Sequence, residues 1–88
     1  MNNINNLPVF SYWQHHNSNV YQVILITNTE SNRDKYPVTI CYRNMCNNTI
    51  WSRQYTDWHR SMTRITASTM LYLKYERSLI DNVRYTCK

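Results

Sequence analysis

Eighty-eight residues, 42% of them hydrophobic and 17% charged, suffice for one small domain with a single core and exclude a disordered tail. A core of that size supplies only about 3–5 kcal/mol, so a homo-oligomer or a bound partner is an expected source of further stability. The net charge of +5 favours an acidic or phosphate-bearing partner, while the complete absence of glycine excludes every Gly-rich phosphate loop.

In chain order, residues 1–10 are polar and Asn-rich and read as a flexible N-terminal arm, anchored by Val9 and Phe10. They lack the basic and apolar regions of a secretory signal, and no stretch has the ~18 apolar residues of a membrane span. The expected location is therefore cytoplasmic, which is the host cell cytoplasm if the chain is viral. Cys41, Cys46 and Cys87 are odd in number with no framework spacing, so reduced thiols are expected there.

From Ser11 the texture changes to short β-type runs separated by Asn-rich breaks. Residues 12–16 form the first run. Residues 20–27 (VYQVILIT) are the most apolar and β-branched and should make the central strand. In residues 36–43, Val38, Ile40 and Tyr42 alternate with Thr39, Cys41 and Arg43, the period of a half-buried strand, with Pro37 confined to its start. Residues 49–55 make a fourth strand that places Trp51, Arg53 and Tyr55 on one face. A turn through Trp58 and Arg60 leads to a fifth strand at residues 62–66. In a chain without glycine, asparagine must supply the turns, because it tolerates positive φ better than other side chains. Ser68 is placed to cap a helix over residues 69–82 whose stripe is Leu71, Tyr75, Leu79 and Val83. The fold class is thus mainly β with a C-terminal helix: a small five-stranded barrel over residues 11–66, with residues 67–88 as a helical appendage and tail.

The elements Trp13-x-His15-His16-x3-Val20-Tyr21-x-Val23, Tyr36-Pro37-Val38-Thr39-Ile40-x-Tyr42 and Trp51-Ser52-Arg53-x4-Trp58 together resemble a short domain of unknown function found in bacteria and bacteriophages. The likeness spans residues 12–65. It implies an SH3-like barrel and a viral setting, and it carries over no catalytic residue. Ser18-Asn19 stands where that pattern has a turn glycine, and the tail after Thr66 has no counterpart in it.

Metal chemistry needs three or four converging ligands. His15, His16 and His59 show no such spacing, and Cys41 and Cys46 read as a strand residue and a turn thiol, so no metal or cofactor is expected. No serine or cysteine stands in a nucleophile motif beside a histidine and a carboxylate, so the chain is not expected to be an enzyme. Phosphate recognition would rest on side chains. Arg43, Arg53, Arg60 and Arg64 are interleaved with Tyr42, Trp51, Tyr55 and Trp58, and arginines beside exposed aromatics bind nucleotides and single strands by charge and stacking. The expected ligand-binding set is Arg43, Arg53, Arg60, Trp51, Trp58 and Tyr55, the alternative being that Trp51 and Trp58 are core residues and the arginine heads are solvated. The stripe Leu71, Tyr75, Leu79 and Val83 is expected to pack on the barrel or to form a partner or oligomer interface. These readings make the protein a binding protein, plausible as a phage counter-defence factor that sequesters a nucleotide-type immune signal or nucleic acid. The competing expectation is a protein inhibitor docking on a host nuclease or defence complex.

Overall fold

The computed structural model describes residues 7–33 and 35–81, with side chains through residue 76. Five antiparallel strands form one sheet: β1 (Tyr12–His15), β2 (Val20–Thr27), β3 (Thr39–Asn44), β4 (Ile50–Gln54) and β5 (Met62–Ile65). A 3-10 turn, Tyr55–Asp57, precedes β5, and helix α1 (Ala67–Asp81) follows it. The strand order is β4-β3-β2-β1-β5, so β2 is central as its β-branched sequence requires. The expected closure into a barrel is not present. No ladder joins β4 to β5, and among the described residues these two strands are the edges of the sheet.

Register fixes the faces. Opposite residues of an antiparallel pair share a face, so Tyr42↔Trp51 and Ile40↔Arg53 put Trp51 and Arg53 on the side of the core. Tyr21, Val23 and Ile26 of β2, and Trp13 of β1, lie on that same inner face by their pairings. The other face carries Tyr12, Gln22, Arg43 and Ile50. A bulge between Val23 and Leu25 inserts one extra residue into β2, which keeps Val23 and Ile26 both inward and turns Leu25 out to 53% exposure.

The core is aromatic. Trp13, Val23, Ile40, Tyr42, Trp58 and Met62 are buried, with Leu7 from the N-terminal arm. Trp58 meets Trp13 edge-on at 5.6 Å and Tyr42 at 5.0 Å, and Tyr42 meets Tyr21 at 5.0 Å. Such edge-to-face pairs add about 0.5–1.5 kcal/mol each beyond their area. The buried Trp13 indole donates to Ser11 Oγ at 2.8 Å.

Several expectations are corrected. Leu7, not Val9 or Phe10, anchors the arm: Leu7 is wholly buried, while Val9 and Phe10 are exposed. Ser11 donates its N–H to the Pro8 carbonyl, closing a turn whose third residue, Phe10, has φ 72°, and this directs the Phe10 ring to solvent. Asparagine takes two of the positive-φ positions, Asn28 and Asn48, but Ser18 and Phe10 take the others. The helix begins at Ala67 and its cap is Thr66, whose Oγ1 accepts the Thr69 N–H at 3.1 Å, rather than Ser68. Cys46 is disulfide-bonded, against the reduced state expected of it, and Cys41 is a free thiol. No helix of the described residues is long and apolar enough to cross a membrane.

Candidate anion-binding site

Three chain segments meet at one end of the inner face. The β1–β2 hairpin brings His15 and His16, β4 brings Arg53, and the segment from the 3-10 turn to β5 brings Tyr55, Asp57, His59, Arg60 and Ser61. Backbone and side-chain bonds tie them together. His16 donates its N–H to the Ser61 carbonyl at 3.0 Å, and Arg53 Nη1 donates to Ser61 Oγ at 2.5 Å. The His15 and His16 rings lie 4.1 Å apart, tilted by 33°. The His59 ring sits edge-on to Trp13 at 5.6 Å and to Tyr55 at 5.9 Å.

The hairpin geometry explains why two adjacent histidines can share this end. His15 bonds Asn19 through N–H to carbonyl at 2.9 Å, and Ser18 donates to the His15 carbonyl at 2.8 Å. With Ser18 at φ 81°, this is a three-residue loop of the kind that closes with a left-handed residue. The loop turns the backbone at His16, so its ring comes back beside that of His15.

The electrostatics are one-sided. Burial lowers the His15 pKa first, and the positive charges of His16, Arg53 and Arg60 lower it further, outweighing the Asn17 side chain that acts the other way. His15 Nδ1 accepts the Asn17 backbone N–H at 3.0 Å, the role of a neutral ring. Asp57 is the carboxylate of this cluster, and it is engaged by Arg60 Nε at 2.7 Å and Nη2 at 3.2 Å. The Arg60 hydrogen bond holds its carboxyl below the ordinary range, with Arg53 adding to the effect. Among the described residues, an anion entering here meets two guanidiniums and two imidazoles against a single acid.

Of the six residues expected to bind ligand, Arg53, Arg60 and Tyr55 come together at this end. Trp51 lies two residues along β4 on the same face, 55% exposed, with its indole donating to Thr49 Oγ1. Trp58 does not belong to the surface: it is fully buried at the centre of the core and offers no stacking face. Arg43 does not belong to the cluster either. The alternation of β3 sends it to the opposite face, where Nη2 donates to Gln22 Oε1 at 2.7 Å. The sequence spacing of the histidines argues against a metal or catalytic site and does not announce their part in a cationic cluster. The available signal was Trp58-His59-Arg60 following a strand arginine, opposite a His-His turn. Among the described residues no group of three or more His, Cys, Asp or Glu side chains converges for a metal.

Of the expected interface stripe, Leu71 and Tyr75 are solvent-exposed at 62% and 64%, joined by Tyr72 at 61%. The Leu79 side chain and Val83 lie outside the described residues. Among the described side chains of α1, Met70 is the buried one, at 5% exposure.

No family model matches the chain, and neither a curated protein nor a solved structure matches it.

Proposed function

We propose that this is a non-enzymatic binding protein that captures a phosphate-bearing ligand at the cationic end of its inner face. The observation that carries the reading is the convergence of Arg53, Arg60, His15 and His16 around Ser61, with Asp57 as the one carboxylate among them and already paired. Arginine presents a planar fork that matches phosphate oxygens, and a guanidinium held by a neutral hydroxyl, as Arg53 is by Ser61, keeps its charge free for a ligand. Tyr55 and Trp51, on the same side of the sheet, supply rings for a base to stack on. The antiparallel meander with β5 returned beside β1 supports a small SH3-like architecture as part of this proposal. The bacteriophage counter-defence setting, acting on a nucleotide-type signal or nucleic acid, belongs to it through the sequence resemblance.

The test is a titration of the protein with a labelled DNA single strand, a duplex and a cyclic-nucleotide panel at about 50 and 200 mM salt, where phosphate contacts lose affinity steeply. Arg53→Ala and Arg60→Ala should each weaken the binding by about tenfold, the scale of one charge-assisted hydrogen bond. Arg43→Ala, on the other face, should leave it unchanged. Binding that survives the double substitution of Arg53 and Arg60, or absence of binding to every probe, overturns the reading. A second reading, a protein inhibitor, is favoured by the exposed Leu71, Tyr72 and Tyr75 of α1. Capture of a host nuclease that is lost on Tyr72→Ala and kept on Arg53→Ala would select it.

A further inference from the structure

Beyond ligand capture, we infer that two copies of this chain join through β4, edge to edge and antiparallel, about a two-fold axis at Ser52. The argument starts from the ladder. The Asn44 N–H donates to the Thr49 carbonyl at 2.8 Å, and the Tyr55 N–H donates to the Val38 carbonyl at 2.9 Å. Backbone groups of an antiparallel strand alternate in direction, so Trp51 and Arg53 also turn theirs toward β3. Ile50 and Ser52 therefore present their N–H and carbonyl groups away from the sheet and Gln54 its N–H, the Gln54 carbonyl being that of the 3-10 turn's cap, and among the described residues β4 has no neighbour on that side. Gln54 is still extended, at φ −64° and ψ 142°, so all three positions remain in strand geometry.

Exposed edges of this kind are usually blunted by proline, lysine, a bulge or a covering segment. β4 reads Ile-Trp-Ser-Arg-Gln with no proline or lysine, and the bulge of this sheet lies in β2. The opposite edge is different. The outward carbonyl of Thr66, just past β5, already accepts the Met70 N–H at 2.9 Å, and α1 starts directly after it, which stops a strand from running on.

The sequence of β4 is complementary to itself in one register. A two-fold axis at Ser52 sets Ser52 against its copy, Ile50 against Gln54 of the other chain, and Trp51 against Arg53 of the other chain. In each copy the Ser52 and Gln54 N–H groups donate to the Ser52 and Ile50 carbonyls of the other. Trp51 and Arg53 share the inner face, so each exposed indole lies against the aliphatic stem of the other chain's Arg53, whose guanidinium stays on Ser61. Moving the axis to Arg53 would oppose two like charges, and this selects the Ser52 register. The interface is isologous and closes at two copies.

The test is the mass of the full chain by sedimentation and light scattering across a dilution series, with amide exchange as a second readout. The wild type should run at twice the monomer mass at high concentration, and the Ser52 amide should be protected there and lose protection on dilution. Ser52→Pro removes an outward donor that β3 does not use, so the fold remains by circular dichroism while dimerisation weakens at least about tenfold, two bonds being lost at the axis. Trp51→Lys sets like charges across the axis and should give monomer, whereas Trp51→Glu restores attraction to the other chain's Arg53 and should keep the dimer. A monomer at every concentration, a dimer untouched by Ser52→Pro and Trp51→Lys, or an open-ended series of larger species each overturns the assignment. DNA binding by Ser52→Pro monomer is read separately, so loss of the dimer and loss of the ligand site are distinguishable.

Discussion

Ser18 shows what a glycine-free chain gives up. It holds φ 81° at the left-handed position of the His15–Asn19 loop, where a Cβ is crowded. Ser18→Gly should stabilise the protein by about 0.5–1 kcal/mol, seen as a higher urea midpoint with unchanged slope. Trp58 poses a different residue-scale question. It is fully buried, yet its Nε1 finds no acceptor among the described residues. Trp58→Ala should cost about 3–5 kcal/mol by the cavity it opens, enough to unfold a domain this small. Trp58→Phe, which also deletes the unsatisfied donor, should cost clearly less, and thermal unfolding of the pair measures the difference. The sequence alone does not decide between core and stacking surface for Trp58, because it follows a turn rather than standing in an alternating strand. An arginine on each side of it in sequence, Arg53 and Arg60, made a surface reading natural.

At the scale of elements, period-two alternation carried most of the information. Val38, Ile40 and Tyr42 are buried and Thr39, Cys41 and Arg43 are half-buried on the other side, as their spacing requires. That same alternation parts Arg43 from Arg53, and the division was readable only once the β3–β4 register was known. Pairing across a hairpin depends on loop length, and the Asn44–Thr49 connection fixes it through an i to i+4 bond from Asn48 to Asn44 that no residue type announces. The helix was legible as a helix and misplaced at its start. Thr66 and Ser68 are both good caps, and the end of β5 at Ile65 decides for Thr66. The stripe could not tell packing from exposure, since Leu71 and Met70 are adjacent and Met70 is buried while Leu71 is exposed.

For the whole molecule, the consequence of gathering cations at one end is a dependence on pH with two opposed signs. His15 has its pKa lowered in the fold, so between its folded and ordinary values the unfolded chain binds more protons. Stability is therefore full above the ordinary imidazole value of about 6.5 and falls as the pH drops through it. Anion affinity should move the other way, because protonated His15 adds charge beside Arg53 and Arg60. Chemical denaturation and ligand titration from about pH 7.5 to 5.5 should show the first falling and the second rising, and a bound anion should raise the His15 pKa in an NMR titration. His15→Ala should flatten both trends. The cluster as a whole escaped sequence reading because its members come from positions 15–16, 53 and 59–61, and only the return of β5 to the side of β1 brings them into one place.

That return also sets the order in which the molecule assembles. The hairpins β1–β2 and β3–β4 and the longer β2–β3 connection join neighbours in sequence, whereas Tyr12↔Ile65 and His15↔Met62 join positions roughly fifty residues apart. Closing so long a loop is entropically expensive before any contact rewards it, so docking of β5 is the late, rate-setting step of folding. On a ribosome, β1 waits with one edge unsatisfied until residues 62–65 have emerged. The nascent protein can therefore hold neither its core around Trp58 nor its cationic end until its last strand arrives.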